Sequence, residues 1–182
     1  MLNTQGALDG EPGLLDINSN VAAMEAAIKK RHLDHNTVVI LSAHGQSPNN
    51  PNALTRISDG KIISALNAQW KLDFPSKVQP LVAFAIDDDG WIMWTNDRSQ
   101  SATDYAKNLL FGHSGIGTDI TGAPKAYTSS SLQTIYSGAA AAAFIGIPAG
   151  DPRLPDVIGI AQYGTVYTGG TGKIAEHGGN NP

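Results

Sequence analysis

Apolar positions along the chain follow two periods. Ile17, Val21, Met24 and Ile28 recur at i, i+4, i+7 and i+11, the spacing of one helical face. Asn18 or Ser19 suits the N-cap of such a helix. Lys29, Lys30 and Arg31 fall in its last turns, where cations favour the helix dipole. Residues 1–15 carry no period and read as a loop. Thr37-Val38-Val39-Ile40-Leu41 is an unbroken β-branched and apolar run, the signature of a strand buried on both faces of a parallel sheet. Ser42 to Asn52 reads as a turn-rich loop. Ile62, Leu66 and Trp70 share one face of a helix over Lys61 to Trp70. Leu81 to Ile86 and Trp91 to Thr95 are strands joined at Asp87-Asp88-Asp89-Gly90, since Asp-Gly between apolar runs is a hairpin signal. Ser101 to Leu110 is a short helix with Ser101 and Asp104 in capping-box spacing and Gly112 as its stop. Ser129 to about Phe144 is an alanine-rich helix. Asp156 to Ala161 is another buried-type strand, which Thr165 to Thr168 pairs with or extends.

Alternating helices and apolar strands predict an α/β layered fold, with residues 57–150 as an inserted α+β section. No repeat or linker divides residues 1–182. Composition narrows the class. The 182 residues are 41% hydrophobic and carry a net charge of −4. That excludes disorder for the whole chain and argues against a nucleic-acid polymer as partner. Zero cysteines exclude disulfides and thiolate metal sites. Ala126 to Gly150 has no charge, but its strongly apolar part, Gly138 to Pro148, is shorter than the ~20 residues of a membrane span. Met1 to Gly13 lacks the basic and apolar regions of a signal peptide.

Two histidines stand out as candidate chemistry. His44 lies just past the predicted strand at Val38–Leu41 and is followed by Gly45. Ligands of open α/β sheets bind outside the carboxyl ends of strands. His177 is followed by Gly178 and Gly179, which strip side chains away beside the imidazole. Each also reads as an ordinary loop histidine. Asp87, Asp88 and Asp89 read as a solvated hairpin tip, because the alternating spacing of an EF-hand is absent. The glycine-rich run His113 to Asp119 matches neither phosphate-binding glycine motif.

Leu41-Ser42-Ala43-His44-Gly45-Gln46-Ser47-Pro48, then Asp151-Pro152-Arg153-Leu154-Pro155-Asp156-Val157-Ile158, then Lys173-Ile174-Ala175-Glu176-His177-Gly178-Gly179 occur in that order. They resemble the alkaline phosphatase superfamily, in its type I phosphodiesterase/nucleotide pyrophosphatase branch. The resemblance spans residues 17–182 and implies an alkaline-phosphatase-like layered fold. It implies hydrolysis of a small phosphate ester by two zinc-class divalent metal ions and a Thr or Ser nucleophile. It implies His177 as ligand of one ion and His44 of the other. It also implies a secreted or periplasmic protein.

The chain departs from that pattern in two places. Ala43 stands where the family has a metal-binding aspartate, and the family's nucleophile and Asp-x-x-x-His pair have no counterpart among the residues before Val38. The expectation is therefore the C-terminal part of a larger hydrolase. The alternatives are a non-catalytic relative or binding module with a degenerate metal site, and an unrelated α/β domain whose histidines are structural.

Overall fold

Ile62, Leu66 and Trp70 each stand four residues from the next, and the chain there is helical over Asp59–Asp73, with all three buried. The computed structural model describes residues 12–40, 46–88 and 90–177, with the backbone alone for 12–18. It divides into two units, residues 1–43 and 44–182.

The first unit contains helix α1, Pro12–Lys30. Of its predicted stripe, Val21 and Ile28 are half-buried and Met24 is exposed. Its start is earlier than expected, so residues 12–15 belong to the helix, and Asn18 and Ser19 lie inside it rather than capping it. His32, at φ 54°, ends it in the left-handed region. The predicted buried strand does not form over its described residues. Residues 37–40 are irregular, and Val38 and Ile40 are 84% and 86% exposed. An apolar run becomes a strand only where a neighbour completes its ladder, and among the described residues none does. Leu41, like His44, lies outside the described residues.

In the second unit the elements run β1 (Thr55–Ile57), α2 (Asp59–Asp73), β2 (Val82–Asp87), β3 (Gly90–Thr95), α3 (Gln100–Gly112), β4 (Gly115–Thr118), β5 (Pro124–Tyr127), β6 (Leu132–Ser137), α4 (Ala139–Ile145), β7 (Val157–Ala161) and β8 (Thr165–Tyr167). The described fold is thus mixed α/β, with four helices and two four-stranded sheets. The first sheet has order β5-β4-β1-β8, and its β1–β8 pair is parallel. The second has order β2-β3-β7-β6 and is antiparallel throughout.

The predicted hairpin is present as β2 and β3. Helices α2 and α3 cover one face of the second sheet. Leu66, Trp70, Ala106 and Leu110 meet Val82, Met93, Ile135 and Val157 in one core. Each large side chain buried there contributes roughly 1.5–3 kcal/mol relative to exposure. The opposite face leaves Phe84, Ile86 and Ile92 exposed.

Three expectations are corrected. The span Ser129 to Phe144 is not one helix. Leu132–Ser137 is a strand, and the α-helix is confined to Ala139–Ile145. Thr134, Ile135 and Tyr136 favour a pleated, half-buried setting, and Gly138, at φ +50°, breaks the chain direction before the alanines. Ser99, not Ser101, caps α3 by accepting from the Ala102 N–H at 3.3 Å. The run Thr165–Tyr167 pairs with Thr55–Ile57 in the other sheet, not with β7.

Ahead of β6, Ser129, Ser130 and Ser131 all have φ between 51° and 59°. Left-handed backbone costs roughly 1–2 kcal/mol per non-glycine residue. Buried hydrogen bonds hold it: Ser130 Oγ donates to Leu110 O at 2.8 Å, and Tyr167 donates its hydroxyl to Ser130 O at 2.7 Å.

Asp156 joins the two halves of the second sheet. Its nearly buried carboxylate accepts from the Thr95 N–H at 2.9 Å and from Arg98 Nε at 2.8 Å, and Arg98 Nη2 donates onward to Leu154 O at 2.7 Å. Removing one member leaves buried donors unsatisfied. Asp156→Ala should therefore destabilise the fold by about 2–3 kcal/mol. Urea unfolding checks this. A loss below about 0.5 kcal/mol would show that the network is dispensable.

Candidate functional site

The hairpin between β2 and β3 ends at Asp87 and Asp88, and the loop after β8 brings Lys173, Glu176 and His177 against it. Gly90 opens β3 beside β7. A Cβ there would sit 2.3 Å from Gly159 O, so only glycine lets the two strands approach at the tip. Asp88 holds His177 twice. Its Oδ1 accepts the His177 backbone N–H at 3.1 Å, and its Oδ2 lies 3.3 Å from His177 Nε2.

Glu176 has a fully buried side chain, and Lys173 Nζ lies 2.5 Å from its Oε1. Lys173 Nζ is also 3.9 Å from Asp88 Oδ1. The Glu176 backbone forms a two-bond antiparallel bridge with Ser47. Ser47 N–H donates to Glu176 O at 2.7 Å, and Glu176 N–H donates to Ser47 O at 2.8 Å.

The electrostatics follow from this packing. Burial first, then the charges of Asp59 and Glu176, push Asp87 up to about 6, against the pull of Lys173. Burial works against the Lys173 charge, but the hydrogen bond and charge of Glu176, then Asp88 and Asp87, raise the ammonium above its usual value. Burial, followed by the same two carboxylates, Glu176 and Asp87, raises the Tyr167 phenol. An open cavity of about 520 Å³ adjoins Asp88 and His177. Its walls are apolar, formed by Trp91, Ile92, Phe144 and Ile158 among others.

Of the two predicted metal ligands, His177 is placed at this site and half-exposed, while His44 lies outside the described residues. Among the described residues no group of three or more His, Cys, Asp or Glu side chains could hold a metal ion. Sequence reasoning missed Asp88, which it left as a solvated tip. The Asp-Gly turn signals a hairpin but carries nothing about a loop at residue 177. Trp91 is buried against Tyr167, Trp94 lies on Phe84, and Arg98 binds Asp156.

No family model, curated protein or solved structure matches this chain. Any functional assignment therefore rests on the residues themselves. No helix among the described residues is long and apolar enough to cross a membrane.

Asp87 makes a pH prediction. Its carboxyl titrates higher in the folded chain, so the folded state binds more protons than the unfolded between about pH 4 and 6. Stability should fall as pH rises through that window. Because Asp87 is partly exposed, screening leaves an effect of about 1 kcal/mol. Asp87→Asn should flatten the fall and stabilise the chain at pH 8 by that amount. Thermal melts from pH 4 to 8 check both, and an unchanged slope in the variant would refute the assignment.

Proposed function

We propose that the chain is part of a metal-dependent phosphoric-ester hydrolase of the alkaline phosphatase superfamily, in its type I phosphodiesterase/nucleotide pyrophosphatase branch. In this reading His44 and His177 are imidazole ligands of two zinc-class ions, and these residues form a section of an alkaline-phosphatase-like layered fold. The substrate is a small phosphate ester, and the protein is secreted or periplasmic.

The observation that carries the reading is the backbone bridge between Ser47 and Glu176. Ser47 follows His44 by three residues, and Glu176 directly precedes His177. The described ends of two segments that resemble the family's ligand-bearing motifs are therefore paired with each other.

The donors fit a metal in part. Neutral imidazole suits zinc-class ions, and a ligating histidine ring is commonly held by a carboxylate, the relation Asp88 has to His177. Two histidines do not complete two sites, since each ion takes three or four protein ligands, so the remaining donors must come from other residues. When bound, such ions polarise the phosphoryl group and activate the attacking hydroxyl. The chain's own part is positional. Asp88 fixes the His177 ring, the buried Glu176 anchors the loop beneath it, and the apolar cavity alongside has room for the organic group of an ester.

In the longest natural polypeptide carrying these residues, with zinc supplied, Asp88→Asn should lower zinc affinity and phosphodiester hydrolysis by about 10–100-fold. His177→Ala should lower both further. Hydrolysis of bis(p-nitrophenyl) phosphate and bound zinc are the readouts. Unchanged activity in His177→Ala would overturn the assignment.

A second reading, a non-catalytic relative with a degenerate metal site, has Ala43 in its favour, because alanine cannot ligate. Ala43→Asp distinguishes the two. A rise in zinc content together with hydrolysis marks a weakened enzyme. A rise in zinc without hydrolysis marks the binding module.

A further inference from the structure

Arg56 lies on β1 in the first sheet and is only 5% exposed. Both of its described hydrogen bonds go to neutral carbonyls. Nε donates to Lys173 O at 2.7 Å, and Nη1 donates to Asp119 O at 2.8 Å. These use two of the five guanidinium donors. A cation taken out of water needs a compensating charge or a full set of acceptors, and two carbonyls supply neither.

The same residue lines a pocket of about 170 Å³, together with Lys61, Ser58, Thr118, Thr168 and Thr171. Two cations and five hydroxyls, that of Tyr127 included, line this space, and among the described residues no carboxylate does. Ser58 precedes α2 without capping it through its side chain. Thr168 Oγ1 accepts the Gly170 N–H at 3.1 Å, which leaves its own proton to donate. Gly117 forms part of the wall, and a Cβ there would meet Arg56 O at 2.2 Å, so the close approach of β4 to β1 depends on glycine. The volume is below the ~300 Å³ at which pockets for drug-sized ligands begin.

We infer that this pocket is an anion site for a phosphate-sized tetrahedral oxyanion, with Arg56 as the buried cation, Lys61 as the outer one and the hydroxyls as donors. Arg56 completes its donors and its charge balance on the ligand. The site is independent of the hydrolase reading, since it uses neither histidine and no metal.

The test is calorimetric titration of inorganic phosphate into the metal-free 182-residue chain, with chloride at matched ionic strength as reference. Saturable one-to-one binding with competition by sulfate is expected. Lys61→Met should weaken it about 2–5-fold, and Arg56→Gln by more than about tenfold. Lys61 is an exposed helix residue, so its variant keeps the test valid if Arg56→Gln does not fold. Absence of binding beyond chloride, or unchanged affinity in Lys61→Met, overturns the proposal. So does loss of phosphate binding in metal-free His177→Ala, which would put the anion at the histidine side of this loop instead.

Discussion

A carboxylate removed from water has to be paired, and the arrangement around residue 177 depends on that requirement. Glu176 is wholly buried as a side chain, yet its loop carries little apolar mass to hold it in place. Among the described contacts, two do that work. Lys173 neutralises the carboxylate from three residues upstream, and Ser47 closes a two-bond bridge with the backbone. Burying an ion costs several kcal/mol unless a partner and hydrogen bonds accompany it. Loosening either contact would therefore favour expulsion of the loop, and with it the orientation of His177. Upstream, Gly169, Gly170 and Gly172 carry no side chain to pack, so the charge pair bears on where the loop sits.

The hairpin and the first sheet meet this loop from different directions. Asp88 reaches it through a carboxylate shared between a backbone N–H and an imidazole. Arg56 reaches it through the Lys173 carbonyl. The acidic side gathers Asp87, Asp88 and Glu176, and burial, followed by the charges of Asp59 and Glu176, raises Asp87. The basic side gathers Arg56 and Lys61 around hydroxyls. One short loop thus borders two electrostatic environments of opposite sign, and Lys173 joins them, its ammonium facing the acids and its carbonyl facing the guanidinium.

Local pattern revealed elements in proportion to how self-contained they are. Helix α2 was legible because Ile62, Leu66 and Trp70 encode a face without reference to anything distant. The β2–β3 hairpin was legible because Asp-Gly turns the chain back on its own neighbour. Val38-Val39-Ile40 misled because strand identity belongs to a pair of segments, and an apolar run carries no information about whether a partner is present. The alanines after Gly138 drew a helix backwards over Leu132–Ser137, where pairing with β7 outweighs propensity. Strand β1 passed unnoticed for the same reason. Its three residues are ordered by partners at residues 118 and 165–167.

The site divides along the same line. Residue chemistry in the sequence singled out His177 by the glycines that follow it, and singled out His44 by its place after an apolar run. Amino-acid type and near neighbours suffice for that, because they set which groups can ligate or titrate and how accessible they are. The pairing of Asp88 with His177, the elevated Asp87 and the buried charge of Arg56 held by two carbonyls depend on segments distant in sequence coming together. Hydrogen bonds and Coulomb interactions act through space over a few ångströms. The sequence by itself therefore determined which side chains could carry chemistry, and the tertiary structure alone decided which of them act on one another.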